Sequence, residues 1–241
     1  MKPNHLPVLA SLLLPLSPAT AANVTWSTAG DGATGNWNNN SFNGQGYTAA
    51  DTLIIDGVAK TITIGSGVTS PASLNVTSAN AITLGGSSSI GGALNKSGTG
   101  ALTLNSANSF GNTTLSGGKI NLADGSGLGT AGTLYVNSGA ASGVTASYGS
   151  GTAASFFFDA TTNPTSFTFA KNISFGAVAS ATTYGMAMKS PGTSGPALAA
   201  TLSGNISGGS NLTLWLDAGT TGSPNYSYWV LSGDNSGFAG M

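Results

Sequence analysis

Ionisable side chains are scarce in this chain. Charged residues make up 5% of its 241 positions, against about 25% in ordinary globular domains. All six basic residues are Lys and all seven acidic residues are Asp, so Arg and Glu are absent. Cys is absent too, and the single His is His5. Each absence excludes a chemistry. With no Cys, and with the single His in a leader read below as removed, the thiol–imidazole and hydroxyl–imidazole pairs of nucleophilic catalysis cannot be built in the mature chain. Zinc sites of the usual His and Cys type are excluded. Bidentate Arg recognition of phosphate or guanine is excluded. Nucleic-acid binding rests on neutralising phosphates, and a formal charge of −1 with no basic patch argues against it. With the helix formers Glu and Arg missing and Gly, Ser, Thr and Asn abundant, the composition points away from helices.

The first residues read as an export signal. Lys2 gives a short positive start, Leu6 to Leu16 is apolar, and Ala19-Thr20-Ala21 is a small-x-small cleavage site. The spacing predicts a signal peptide over 1–21, cut after Ala21. The apolar run is too short to span a bilayer and contains Pro15. No later segment has 18 consecutive apolar residues, so no transmembrane helix is expected in the mature chain, 22–241. That mature chain is read as one domain, exported to the outer surface, the periplasm or the medium. Its five Lys against seven Asp leave a formal charge of −2.

From Asp51 onward, short alternating triplets recur. Ile62-Thr63-Ile64, Leu74-Asn75-Val76, Ile82-Thr83-Leu84, Leu102-Thr103-Leu104, Ile120-Asn121-Leu122 and Leu134-Tyr135-Val136 are examples. Apolar-polar-apolar alternation is the signature of a half-buried strand. Gly-Ser, Gly-Gly, Asp-Gly and Asn-Ser pairs punctuate the intervals. The second half is less regular but similar in kind. Ala177 to Met188, the best helical stretch, is broken by Gly185 and reads as two strands.

The fold class is therefore all-β. The expected architecture is a parallel β-helix, or β-solenoid, of short strands, with a β-sandwich as the alternative. Three features favour the solenoid. The strand cores are only about three residues long. Asn recurs at turns, where amides can stack along an axis. Like charges stacked about 4.8 Å apart would repel, so a repeating ladder disfavours Asp and Lys.

The segment Leu94 to Gly129 carries the clearest repeat. It opens on Lys96-Ser97-Gly98-Thr99-Gly100, followed by Leu102 and Leu104. An Asn108-Ser109-Phe110-Gly111 turn, Thr113-Thr114, Gly117-Gly118, Ile120 with Leu122, and Leu128-Gly129 complete it. This pattern resembles the autotransporter-associated β-strand repeat of bacterial passenger proteins. Where that repeat has two Gly before its Thr pair, this chain has Gly111-Asn112, and Asn tolerates the left-handed geometry of such a turn. Residues 231–241 resemble a second copy, cut off in mid-repeat, and the chain is expected to be a fragment. No translocator or anchor is present in it. The resemblance implies a bacterial, exported, passenger-type β-helix.

Few residues are candidates for chemistry. Asp51 and Asp56 bracket one strand. Five steps of extended chain put them about 17 Å apart on opposite faces, the wrong geometry for a catalytic pair. Both read as turn residues, as do Asp31, Asp124, Asp217 and Asp234. No metal ligand set and no cofactor motif is present. Trp26, Trp37, Phe42 and Tyr47 read as an N-terminal cap. Trp215, Tyr226, Tyr228 and Trp229 are the candidates for carbohydrate contact, since aromatic faces stack on sugars.

The leading expectation is an exported, non-enzymatic, adhesin-like structural protein whose partner is an unidentified surface or glycan. The alternatives are a carbohydrate-binding module or degenerate carbohydrate-active β-helix, and a truncated product with no function of its own.

Overall fold

A computed structural model of the chain describes residues 20–26, 34–38, 41–42, 44–123, 125–140, 156–159, 166–189, 199–217 and 228–240. Residues 1–19 of the expected 1–21 signal peptide, Asp31, Asp124 and Tyr226 lie outside the described residues. Among the described residues there is no helix.

The first strands are β1 (Asn23–Trp26), β2 (Thr34–Asn38), β3 (Ser41–Phe42) and β4 (Gln45–Gly46). Next come β5 (Thr52–Ile55), β6 (Lys60–Ile64), β7 (Ser73–Val76), β8 (Ile82–Gly86) and β9 (Gly91–Lys96). The repeat supplies β10 (Ala101–Leu104), β11 (Ser109–Leu115) and β12 (Lys119–Leu122), followed by β13 (Thr133–Val136). The remainder are β14 (Phe156–Asp159), β15 (Ser166–Phe169), β16 (Asn172–Phe175), β17 (Thr182–Lys189) and β18 (Ala199–Leu202). The last three are β19 (Ile206–Ser207), β20 (Leu212–Asp217) and β21 (Tyr228–Leu231).

Three sheets share these strands. The first runs β1-β5-β7-β9-β11-β13-β16-β19, the second β20-β17-β14-β12-β10-β8-β6-β2-β3-β4, and the third β15-β18-β21. From β5 to β13 the chain visits the first and second sheets alternately. Residues in register are then 18 to 22 positions apart, from Ala101 with Lys119 to Lys60 with Ile82. After β13 each pass adds a strand to the third sheet. The interval lengthens accordingly, to 33 between Asn172 and Asn205 and 29 between Asn205 and Asp234. Apart from β2–β3 and β3–β4, the paired strands are parallel. A sandwich of antiparallel sheets does not have this pairing.

The alternation seen in the sequence is the alternation of burial. In β6 the residues Ile62 and Ile64 are fully buried while Thr61 and Thr63 face outward. Parallel register then stacks like on like. Leu53, Leu74 and Leu94 align in the first sheet. Ile62, Leu84, Leu104 and Leu122 align in the second. All of these are at most 1% exposed. Burying each such side chain is worth about 1.5–3 kcal/mol. Every pass of the chain therefore adds its own share of a continuous core.

The aromatic residues expected at the N-terminal end pack together there. Phe42 meets Trp26 and Trp37 edge-on at 5.1 and 5.0 Å, and Trp37 meets Tyr47 at 6.1 Å. Trp37 Nε1 donates to the Tyr47 hydroxyl at 2.8 Å, and that hydroxyl donates to the Thr69 carbonyl at 2.6 Å.

Two local expectations are corrected. Ala177 to Met188 holds one strand rather than two. β17 begins at Thr182, and the residues before it form no strand. Gly111-Asn112 is not a turn. Ser109 to Leu115 is one strand whose register against β9 shifts between Phe110 and Thr113. One extra residue is accommodated as a bulge. Asn112 serves there through its side chain, its Oδ1 accepting the Thr133 N–H at 3.1 Å.

Candidate functional site

The repeat motif is a set of close contacts between successive passes. Lys96 sits in an inward ladder between Val76 and Leu115 and is 1% exposed. Its stem packs as an aliphatic side chain. Its ammonium donates to the carbonyls of Gly98 and Gly117. Burial lowers its pKa to about 8. The glycines permit this approach. A Cβ on Gly98 would strike the carbonyl oxygens of Ser78 and Thr77, and Gly100 and Gly117 lie as close to Asn80 and Ser97. Gly118 additionally has φ +62°, a left-handed conformation that side chains disfavour. Leu102, Leu104, Phe110, Ile120 and Leu122 fill the core beside them.

Asn108 closes the turn before β11. It is 7% exposed. Its Oδ1 accepts the Ile90 N–H at 3.3 Å, and its Nδ2 donates to Ser106 and Gly127 carbonyls at 2.9 and 3.0 Å. One amide thus satisfies three backbone groups on three segments.

Lys171 has a similar role that its sequence position does not announce. It is fully buried, and its ammonium donates to the carbonyls of Phe110, Gly111 and Ala131. Burial lowers its pKa, too, to about 8. A Lys directly before a strand in an otherwise uncharged stretch is the only signal that could have found it. Asp51, read as a turn residue, is also buried and accepts three hydrogen bonds.

The outward faces carry hydroxyls and amides in register. Thr61, Thr83, Thr103 and Asn121 align along the second sheet. Asn121 Nδ2 donates to Thr103 Oγ1 at 3.2 Å. On the first sheet Asn95 Nδ2 donates to Asn75 Oδ1 at 2.9 Å. Amide stacking therefore occurs, and this pair stacks on a strand face rather than at a turn. Asn172 and Asn205 continue the theme, with the Asn205 N–H on Asn172 Oδ1 at 2.9 Å. Such faces present neutral hydrogen-bond donors and acceptors at repeated positions.

The last strands form a different surface. A cleft of about 170 Å³ opens between Ile206, Leu214, Leu216, Leu231, Asn235 and Phe238. Trp215 and Tyr228, which do not line it, are 45% and 54% exposed. The three aromatic candidates among the described residues do not share one face. Trp215 lies on β20 in the second sheet and Tyr228 on β21 in the third. Trp229 alternates to the inner side and meets Phe167 edge-on at 6.4 Å. Among the described residues, no group of three or more His, Cys, Asp or Glu is placed to hold a metal ion. No helix of the described residues is long and apolar enough to cross a membrane.

No family profile, curated protein or solved structure matches this chain.

Proposed function

We propose that this chain is an exported, non-enzymatic, adhesin-like surface protein, folded as a right-handed parallel β-solenoid of the autotransporter-passenger type. The observation that carries the reading is the registered, uncharged ladder of Thr61, Thr83, Thr103 and Asn121. A stacked core with hydroxyls and amides repeated on its outside is a scaffold for multivalent contact. Each contact is weak, and repetition along a rigid rod multiplies them. The ladder offers no group to activate a nucleophile or to carry a proton near neutral pH.

Contacts of this kind are insensitive to salt, because screening acts on charges. Beads coated with residues 22–241 should be retained on at least one of a panel of mucin, polysaccharide and bacterial-cell surfaces. Retention should persist at high salt and fall when Thr61, Thr83 and Thr103 are all replaced by Lys. Retention that vanishes with salt, or is unchanged in the triple variant, refutes the ladder as the contact face.

A carbohydrate-binding reading draws on the exposure of Trp215 and Tyr228. It requires saturable glycan binding that Trp215→Ala abolishes. Binding that survives this change assigns recognition to the ladder instead.

A further inference from the structure

β1 is the edge strand of the first sheet, and Trp26 at its end is buried in the N-terminal aromatic cluster. Its start is fastened by an acid. Asp51, directly before β5, is 5% exposed. Its Oδ1 accepts the N–H of Ala22 at 2.7 Å. Its Oδ2 accepts the Thr48 N–H at 2.6 Å and the Thr48 hydroxyl at 3.0 Å. The Ala22 carbonyl in turn accepts from Thr52 N–H at 2.9 Å. Thr20, Ala21 and Ala22 are all exposed.

Ala22 is also the residue that follows the small-x-small site at Ala19-Thr20-Ala21. We propose that the Asp51 carboxylate is a built receptor for the α-ammonium that leader removal creates on Ala22. The inference rests on the export reading of the leader. In the cut, water adds across the Ala21–Ala22 amide, leaving a carboxylate on Ala21 and an ammonium on Ala22. The nitrogen already lies on Oδ1, so no rearrangement is needed. A neutral amide donor becomes a cation, and the hydrogen bond becomes a charge-assisted ion pair. Removal of the leader thereby tightens the N-terminal edge of the sheet, and the uncut chain is the looser form.

The surroundings suit this pairing. The hydrogen bonds from Ala22 and Thr48 hold the Asp51 carboxyl below the usual carboxylate range, so it is anionic at neutral pH. Next to Thr48 in the chain, the Tyr47 phenol is engaged with Trp37 and the Thr69 carbonyl, and burial pushes its pKa up. It is neutral wherever the α-ammonium is charged.

The test compares residues 22–241 with a free Ala22 amine against the same chain acetylated there, each with Asp51 and with Asp51→Asn. Thermal midpoints are read at pH 6 and pH 10. A paired α-ammonium has a raised pKa. Its stabilisation is complete below about 7.7–8, the usual range of an α-amine, and is lost as pH rises through the raised value. The free amine should raise the midpoint at pH 6, by a gap that closes at pH 10 and is absent in the Asp51→Asn pair. Equal midpoints at pH 6, or the same gap with Asn at 51, overturn the receptor. N-terminal sequencing of the exported protein checks the leader separately. A first residue other than Ala22 overturns the processing step even where the purified proteins show the ion pair.

Discussion

Gly98→Ala is the sharpest test of how the passes of this chain fit together. A Cβ at this position would meet the backbone of Thr77 and Ser78 nearer than 3.0 Å, a separation real Cβ atoms essentially never show. Those atoms are carbonyl groups in the preceding pass, so no side-chain rotation relieves the overlap. The two passes must separate locally by about an ångström, which is enough to break a normal hydrogen bond. The bonds at stake are Ser97 N–H to Val76 at 3.0 Å, Gly98 N–H to Val76 at 3.2 Å and Gly100 N–H to Ser78 at 3.3 Å. The Lys96 ammonium on the Gly98 carbonyl is strained as well. Each backbone bond is worth about 0.5–1.5 kcal/mol net, and a buried group left unpaired costs about 1–3 kcal/mol. Against this, Ala restricts the unfolded chain and recovers about 0.4–1 kcal/mol. The expected loss is about 2–3 kcal/mol. Urea unfolding followed by circular dichroism gives the midpoint and slope from which it is read. Gly209→Ala is the matched control. A Cβ there meets nothing within 4 Å, and its φ is not in the left-handed region. Its stability should be unchanged or slightly raised. If Gly98→Ala falls within about 0.5 kcal/mol of this control, the close approach of the passes is wrong.

Two further outcomes follow from the buried polar groups. Burial brings the pKa of Lys96 and Lys171 to about 8 from 10.5. Between these values the unfolded chain binds more protons than the folded one, so stability should rise with pH through that window. Urea midpoints from pH 7 to 10.5 check this, and a flat or falling profile, or one unaltered in Lys96→Met/Lys171→Met, refutes it. Asn108→Ala should cost about 2–4 kcal/mol, because it strands one N–H and two carbonyls inside the fold. A loss below about 0.5 kcal/mol in the same unfolding assay would show that these groups find other partners.

The strands were legible because their information is local. Ile62-Thr63-Ile64 and Leu102-Thr103-Leu104 state their own alternation, and they lie within β6 and β10 with the apolar residues inward. Parallel pairing was inferred indirectly, from short strands and scarce charge. Other features depend on register, which no window of sequence contains. Lys171 reaches the Phe110 carbonyl across 61 positions. The bulge at Gly111-Asn112 exists because β9 offers one residue fewer than β11. The division of the aromatics was hidden for a related reason. Tyr228 and Trp229 are adjacent, and adjacent residues on a strand point to opposite sides. Trp215 belongs to another sheet altogether.

The scarcity of charge acquires a more exact meaning from the buried groups. A ladder that repeats each position every pass disfavours ionised side chains on its outside. Three of the Lys nevertheless lie inside, at Lys60, Lys96 and Lys171, all at most 3% exposed. In Lys96 and Lys171 the aliphatic stem replaces a core residue and the ammonium gathers carbonyls that a tight turn leaves facing inward. Asp51 does the complementary task, gathering N–H groups beside the edge strand β1. A buried charge is tolerated only where hydrogen bonds surround it. Lys96, Lys171 and Asp51 are thus placed where backbone groups would otherwise go unpaired. Replacing one by an apolar residue of similar size removes the buried charge but leaves those groups exposed to nothing. At these positions the charge pairs with backbone groups, which is why so uncharged a chain still keeps these particular Lys and Asp.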